Sequence, residues 1–516
     1  MPKHRFTSAK FKLSLVIISL WLSVLSCQLI SPTPASWSGT PTAKIIAATN
    51  TAFARTQQAA VDDILIVTLT PTPTQAILPT PQPTVVVDGP WLVYPAPGGT
   101  ALHAYDVEAE TILEIALPEP IYTADLQSGL SPSGRRLIIR AGSPSTVDEL
   151  ALYEINLPAT EVTKRTPLLS LTIQRRIVNQ IGTRAFETLE VVTRPDGLAW
   201  SPDGRFLAFT AALDNDSSDL YVYDTLNDRI ERLNGVFSHN ASPFWSPGSQ
   251  WLVSQELGNV DNTKGWRSEI VSGLRVPGYD DQNTLYTPPP GSTDEVFVGW
   301  INSSNFISYS KMVDGPHQLR QVNVDEPSEK FIFEGFFDGV GFDPKSGALA
   351  FYISVENAAD AGLIGGVYLL QPDSPNFTLL RTGDWERLYW DKGGLFVAVG
   401  SQGVFVFTPT GEGFYLPDEG DVRISPDGNW IIAWGDGTNS LAGARLYQPP
   451  SSHPLQTVNE GLVEVVMWQP NSKAFFIHAD GVLFQLNFPG LNLQQVKAGF
   501  PQEGQFNLVW VKQADD

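Results

Sequence analysis

A short turn recurs along most of the chain and restricts its fold more than any other feature. The clearest copy reads Gly197-Leu-Ala-Trp200-Ser-Pro-Asp-Gly204-Arg-Phe-Leu-Ala-Phe209, followed by Leu220-Tyr-Val-Tyr-Asp224 and Arg229-Ile-Glu-Arg-Leu233. Related turns are Leu130-Ser-Pro-Ser-Gly134, Trp245-Ser-Pro-Gly-Ser249, Trp300-Ile-Asn-Ser-Ser304, Phe342-Asp-Pro-Lys-Ser346, Trp390-Asp-Lys-Gly393, Ile424-Ser-Pro-Asp-Gly428 and Trp468-Gln-Pro-Asn-Ser472. The third residue of each turn falls at 132, 202, 247, 302, 344, 392, 426 and 470, with successive spacings of 70, 45, 55, 42, 48, 34 and 44. A period near 40–50 residues is that of a four-stranded propeller blade. Within each unit an apolar strand ends in an aromatic, Pro presets the reversal, Asp-Gly or Asn-Ser completes it, and alternating strands such as Leu220 to Asp224 bury one face. The aromatics Trp200, Trp245, Trp300 and Trp468 are expected to pack between blades.

The two ends of this region complement each other. Phe506-Asn-Leu-Val-Trp510-Val resembles a first strand with nothing after it, while Trp91 to Leu117 supplies later strands with no first strand before them. Joining them closes the ring and removes the exposed sheet edges. The expectation is an all-β chain with a single β-propeller of about eight four-stranded blades over residues 90–516, seven to nine fitting the raw count. The Trp-Ser-Pro-Asp-Gly turn followed by Leu-Ala-Phe and Leu-Tyr-Val-Tyr-Asp resembles the WD40-like (PD40) repeat of TolB-type propellers, tightly at 197–233 and 421–434. That resemblance implies a fold more firmly than a function; TolB-type domains serve as periplasmic protein-interaction modules.

The N-terminus reads differently. Lys3, Arg5, Lys10 and Lys12 precede an apolar run from Leu13 to Leu25, too short for a good membrane span and suited to a secretory signal. Val24-Leu-Ser-Cys27 resembles the lipobox of bacterial lipoproteins, which implies cleavage after residue 26 and a lipid thioether on Cys27, the single cysteine of the chain. Residues 27–89 then turn to Thr, Pro, Ala and Ser, with Thr70-Pro-Thr-Pro-Thr74 and Pro79-Thr-Pro-Gln-Pro-Thr84, a composition that cannot bury a core. Such a linker at about 3.1 Å per residue would hold the propeller on the order of 100 Å from a bilayer. The expected location is therefore extracytoplasmic, lipid-anchored to a bacterial membrane or cell surface.

With 33 Lys and Arg against 55 Asp and Glu, the net charge is -22, and no basic cluster follows the first dozen residues, so a nucleic-acid partner is excluded. Short Ser-Pro-Asp-Gly turns lie on one face of such a ring and longer connections on the other: 142–149, 211–219, 255–267, 354–366 and 435–443. The stretch 172–190 carries Ile173, Ile177, Ile181 and Phe186 at helical spacing and is expected as an amphipathic helix decorating that loop-rich face. Residues just before each first strand should ring the central opening: Asp196, His239, Asn240, Asp294, Glu295, Asp338, Asp384, Trp385, Glu386, Asp421 and Glu464. The rim is acidic with some aromatic character, which favours a cation, a basic peptide or a sugar over an anion; a chain this acidic also shows carboxylates everywhere.

Asp214, Asp216 and Asp219 place carboxylates in one hairpin loop, as Ca²⁺ requires, without the downstream Gly and Glu of an EF-hand; a solvated polar hairpin fits better. The six histidines show no zinc spacing, and neither G-x-S-x-G nor a phosphate-binding glycine loop is present. No catalytic residue is singled out, and no cofactor beyond that calcium is implied. Two readings stay open: a membrane-anchored propeller binding an envelope protein, peptide or glycan, and a propeller enzyme, a glycoside hydrolase or lyase, with carboxylates at the channel mouth.

Overall fold

The computed structural model describes residues 91–511, apart from 146–149, 158–159, 215, 234–238, 260–265, 276–283, 286–288, 290–291, 314, 327, 373, 375, 436–441 and 497–508. The chain divides into a unit of residues 1–77 and a unit of residues 78–516, and every described residue belongs to the second. The signal, Cys27 and the Pro/Thr linker thus lie outside the described residues.

The described residues form eight four-stranded antiparallel sheets and one three-stranded sheet, in chain order. Sheets 3 to 9 occupy 198–232, 239–285, 292–335, 339–382, 387–417, 421–459 and 463–495, each a consecutive run of four strands. Sheet 1 is built from both ends of the propeller: Trp91–Pro95, Ala101–Asp106 and Thr111–Ala116 are completed by Val509–Val511, which pairs with Trp91–Pro95 in the register Trp91↔Val511, Leu92↔Trp510 and Val93↔Val509. The expected closure is present. Nine sheets stand at the upper end of the expected seven to nine.

Alternation along the strands explains where the core sits. Each sheet has two apolar faces, so the core is divided into layers between neighbours. Leu92, Tyr94 and Tyr105 of sheet 1 meet Phe476 and Leu483 of sheet 9, and Phe396 and Phe407 of sheet 7 meet Ala350 and Leu369 of sheet 6. The outermost strands, such as Asn492–Gln495, are exposed and polar.

The recurrent turn has a specific hydrogen-bond chemistry. The buried Ser201 hydroxyl accepts from the Phe206 amide at 2.9 Å and donates to Asp203 at 2.6 Å; Ser425 repeats this with Trp430 and Asp427 at 2.9 and 2.6 Å. Gly204 and Gly428 close their turns at φ 71° and 74°, where a side chain is disfavoured. Ser249 and Ser472 take the same left-handed conformation, and their hydroxyls accept from the amides of Asp203 and Asp427 in the preceding sheet at 3.1 and 3.2 Å.

At four of the turns the preceding tryptophan adds a second joint. The indole N–H of Trp200 donates to the Gly129 carbonyl at 2.7 Å, Trp245 to Ala199 at 2.9 Å, Trp300 to Phe244 at 3.1 Å and Trp468 to Arg423 at 3.1 Å. Each acceptor is the residue immediately before the turn anchor of the preceding repeat. The inter-blade role expected for these tryptophans is thus met by a directed bond as well as by packing.

Sheet 2 departs from the repeat. Its three strands are Arg136–Ala141, Ala151–Asn156 and Glu161–Pro167, and helix α1 (Asp125–Ser128) leads into the position of a first strand. Arg140, 1% exposed, donates from its backbone amide and Nε to Asp125 at 2.9 and 2.8 Å and from Nη2 at 2.5 Å. Its remaining donors reach the carbonyls of Val192 at 2.5 Å and Arg194 at 2.7 Å.

Those carbonyls close the expected helical insertion, which is two helices, α2 (Leu171–Val178) and α3 (Thr183–Val192). Gly182 at φ 80° separates them. Ile173 and Ile177 are buried as the spacing predicts, but Ile181 is 59% exposed in the link, and Ala185, Leu189, Val191 and Val192 carry the buried face of α3. Val191 packs with Ala241 and Leu257 of sheet 4. The insertion is therefore a structural wedge rather than decoration. A fourth helix, α4 (Val355–Ala361), capped by the Ser354 hydroxyl, lies in the 354–366 connection.

Candidate functional site on the loop-rich face

The residues that begin each first strand have separate environments. Asp196 accepts from Arg194 at 3.0 and 2.9 Å and from the Ser242 hydroxyl of the next sheet at 2.5 Å. Burial pushes its carboxyl up, but these hydrogen bonds outweigh burial and leave it below the ordinary value. Asp294 lies 3.6 Å from Lys311. Asp338 accepts from the Ser354 amide and Asn357 Nδ2, both at 2.7 Å, and so fastens the start of α4. Glu464 pairs with buried His478, whose imidazole burial holds below its ordinary value against the pull of that carboxylate.

Four expected rim residues are interior. His239 and Asn240 are 2% and 0% exposed, Glu295 is fully buried among the hydroxyls of Ser292 and Ser308, and Trp385 packs against Phe405 and Tyr415 with centroids 6.2 and 6.5 Å away. Burial drives the Glu295 carboxyl upward despite its serine donors. The His239 Nδ1 accepts the Ser218 amide at 3.1 Å, and burial, reinforced by Arg184, lowers its pKa to about 4. Both faces of a sheet are covered by neighbouring sheets, so at these positions the side chains lie in the layers between sheets instead of at the opening.

The hairpin carboxylates also have protein partners. Asp216 pairs with Arg176 of α2, while Arg232 lies 3.5 Å from both Asp214 and Asp219. Tyr221 donates to Asp214 at 3.1 Å. Among the described residues no set of three acidic, His or Cys side chains is arranged to hold a metal ion. Each of the three carboxylates therefore has an arginine partner.

Glu386 and Asp421 are brought together. With Arg387, Val399–Ser401, Glu419, Gly420, Trp434, Gly435 and Val463 they line a cleft of about 330 Å³ where sheets 7, 8 and 9 meet. Its walls come from the starts of first strands (Arg387–Trp390, Asp421–Ile424, Val463–Trp468) and the ends of second strands (Phe396–Gly400, Ile431–Gly435). Glu419 is buried and held by Arg445, with Nη2 at 2.6 Å, and by the Tyr447 hydroxyl at 2.6 Å. Asp421 accepts from Tyr389 at 3.1 Å and lies 3.5 Å from Arg387 and 4.0 Å from Arg423. The hydrogen bonds that Arg445 donates to Glu419 raise its pKa against the opposing pull of burial, so that guanidinium stays charged. Sequence reasoning missed Glu419, Arg387 and Trp434. Trp434 is the register partner of Asp421 across the first two strands of sheet 8, a relation that strand pairing alone would have supplied.

A second concavity, about 680 Å³, opens on the turn face. It is lined by turn prolines Pro202, Pro247 and Pro344 with Trp245, Trp300 and Trp390. The propeller thus has an apolar, aromatic floor on one face and a polar cleft on the other.

This architecture defines the class, a β-propeller. No family model matches the chain. Among curated proteins it is 31% identical over 83 residues to the uncharacterized peptidase YuxL of Bacillus subtilis, a stretch of 15% of this chain that spans only 13% of that relative. Among solved structures it resembles a eukaryotic initiation factor with a TM-score of 0.53 at 11% identity, over 83% of this chain and 100% of that one. Dipeptidyl peptidase 4 of Porphyromonas gingivalis gives 0.45 at 13%, over 75% and 64% of the two chains, and TolB of Acinetobacter baumannii 0.27 at 11%, over 56% and 62%. At 11% identity the likeness to the initiation factor is one of fold.

Proposed function

We propose that the chain is an exported, lipid-anchored β-propeller that holds a protein, peptide or glycan of the cell envelope at its loop-rich face without transforming it. The observation that carries this reading is the cleft between sheets 7, 8 and 9, which joins two expected rim residues, Glu386 and Asp421, to a half-buried indole and fixed ion pairs. Glycoside cleavage canonically uses a pair of carboxylates, one to exchange a proton and one to activate water or attack. Here Glu419 is locked by a guanidinium and a phenol and Asp421 faces two more guanidinium groups, which leaves Glu386 without a second unpaired carboxylate in the cleft wall. Such an arrangement orients a ligand.

The test is capture from detergent-solubilised envelope by the full chain, with Glu386→Gln/Asp421→Asn as control. A partner retained by the parent and lost by the folded double variant supports the reading; equal retention by both refutes the assigned face. Export and anchoring rest on residues 1–27. Cys27→Ala should abolish labelled-palmitate incorporation and release the chain from membranes, and unchanged membrane association would refute the anchor.

A further inference from the structure

We infer that the cleft between sheets 7, 8 and 9 is a saccharide subsite that takes the neutral, hydroxyl-rich end of a glycan; this deepens the binding reading above and rests on it. Charge argues first. Glu419 is answered by Arg445, and Asp421 by Arg387 and Arg423, which leaves Glu386 as the one wall carboxylate of the cleft with no ion pair among the described residues. A cationic ligand could pair only with Glu386 and would have the Arg387 guanidinium beside it, and an anionic one would meet Glu386 and Asp421. A neutral ligand rich in hydrogen-bonding groups meets neither penalty.

Geometry argues second. The Arg445 side chain is 10% exposed and that of Glu419 0%, and Arg445 Nη1 also donates to the Ala442 carbonyl at 2.8 Å, so these groups cannot swing to follow a mobile ligand. Sugar hydroxyls both donate and accept, and alternating carboxylate and guanidinium groups offer acceptors and donors at fixed spacing. The half-buried indole of Trp434, which carries the Arg423 guanidinium 5.6 Å from its ring centre, gives with Val399 and Val463 an apolar stretch of wall for the C–H groups of a pyranose. Gly400, Gly420 and Gly435 contribute only bare backbone to its lining. The volume, about 330 Å³, lies at the small end of ligand pockets, roughly 300–1,000 Å³, and suits one or two sugar rings.

The experiment is calorimetric titration of the full chain in detergent with cellobiose, chitobiose and mannobiose, and with trilysine and galacturonate as charged probes. At least one neutral disaccharide should saturate. Trp434→Ala and Asp421→Asn should each weaken it about tenfold, the loss of roughly one oriented contact, and Glu386→Gln, at an exposed position, should weaken it while leaving the melting temperature unchanged. Saturation by trilysine or galacturonate without any disaccharide overturns the saccharide assignment, as does disaccharide binding that none of the three variants alters. If no disaccharide binds but envelope capture still depends on Glu386 and Asp421, the inference fails and the binding reading stands. Failure of both capture and titration removes both.

Discussion

Replacing Asp125 by Ala should destabilise the propeller far more than any surface substitution. Asp125 is 0% exposed and Arg140 1%, and two of the three donor contacts from Arg140 to this carboxylate come from its guanidinium. Removing one partner of a buried pair leaves an uncompensated charge and costs about 3–5 kcal/mol. The two carbonyls of Val192 and Arg194 still solvate part of the guanidinium, which places the expectation near the lower figure. The comparison is Glu231→Ala, which breaks the exposed Arg229–Glu231 contact and should cost no more than about 1 kcal/mol. Urea unfolding followed by tryptophan fluorescence gives the difference, and hydrogen exchange should show extra opening in α2 and α3, since Arg140 ties their end to sheet 2. Asp125→Leu combined with Arg140→Met should recover most of the loss, because apolar replacement of a buried pair is often neutral. A loss below about 1 kcal/mol for Asp125→Ala, or a double variant no better than the single, would refute the reasoning.

Three further outcomes are expected. Trp245→Phe and Trp300→Phe each remove an indole donor and leave a strand carbonyl short of its partner, which should cost about 1–3 kcal/mol apiece in the same unfolding assay. His239 has a folded pKa of about 4 against an ordinary 6.5, so the unfolded chain binds more protons between those values. Its contribution is complete above about pH 6.5 and is lost as pH falls towards 4, by ~3 kcal/mol, and melts across that range should be flatter for His239→Gln. Deleting residues 506–516 removes the pairing partner of Trp91–Pro95 and two buried valines, Val509 and Val511; at about 1.5–3 kcal/mol each, a drop in melting temperature is expected, and an unchanged melt would contradict ring closure.

The repeat was legible because its turn is local chemistry. Ser201, Pro202, Asp203 and Gly204 make their own hydrogen bonds within a few residues, so their spacing alone marks the blades. Sheet 2 kept the turn, Leu130 to Gly134, but lost the strand before it to α1, and a turn motif cannot report what precedes it. The helix at 355–361 was hidden in a loop whose Ser354 cap is an ordinary residue in a connection. At the site, chain position marked Glu386 and Asp421, yet whether a side chain reaches solvent depends on the packing of neighbouring sheets, which buried His239, Asn240 and Trp385. Glu419 and Trp434 required the pairing of strands and the folding of the crossing segment, which are long-range facts.

The tryptophan joint, present at sheets 3, 4, 5 and 9, runs in one direction, with the donor on the later unit and the acceptor in the unit before it. A duplicated unit therefore arrives carrying both halves of its own joint, a socket for the next blade and a plug for the last. Ring size can then grow by copying without any new interface being invented, and closure at whatever number results falls to the C-terminal strand alone.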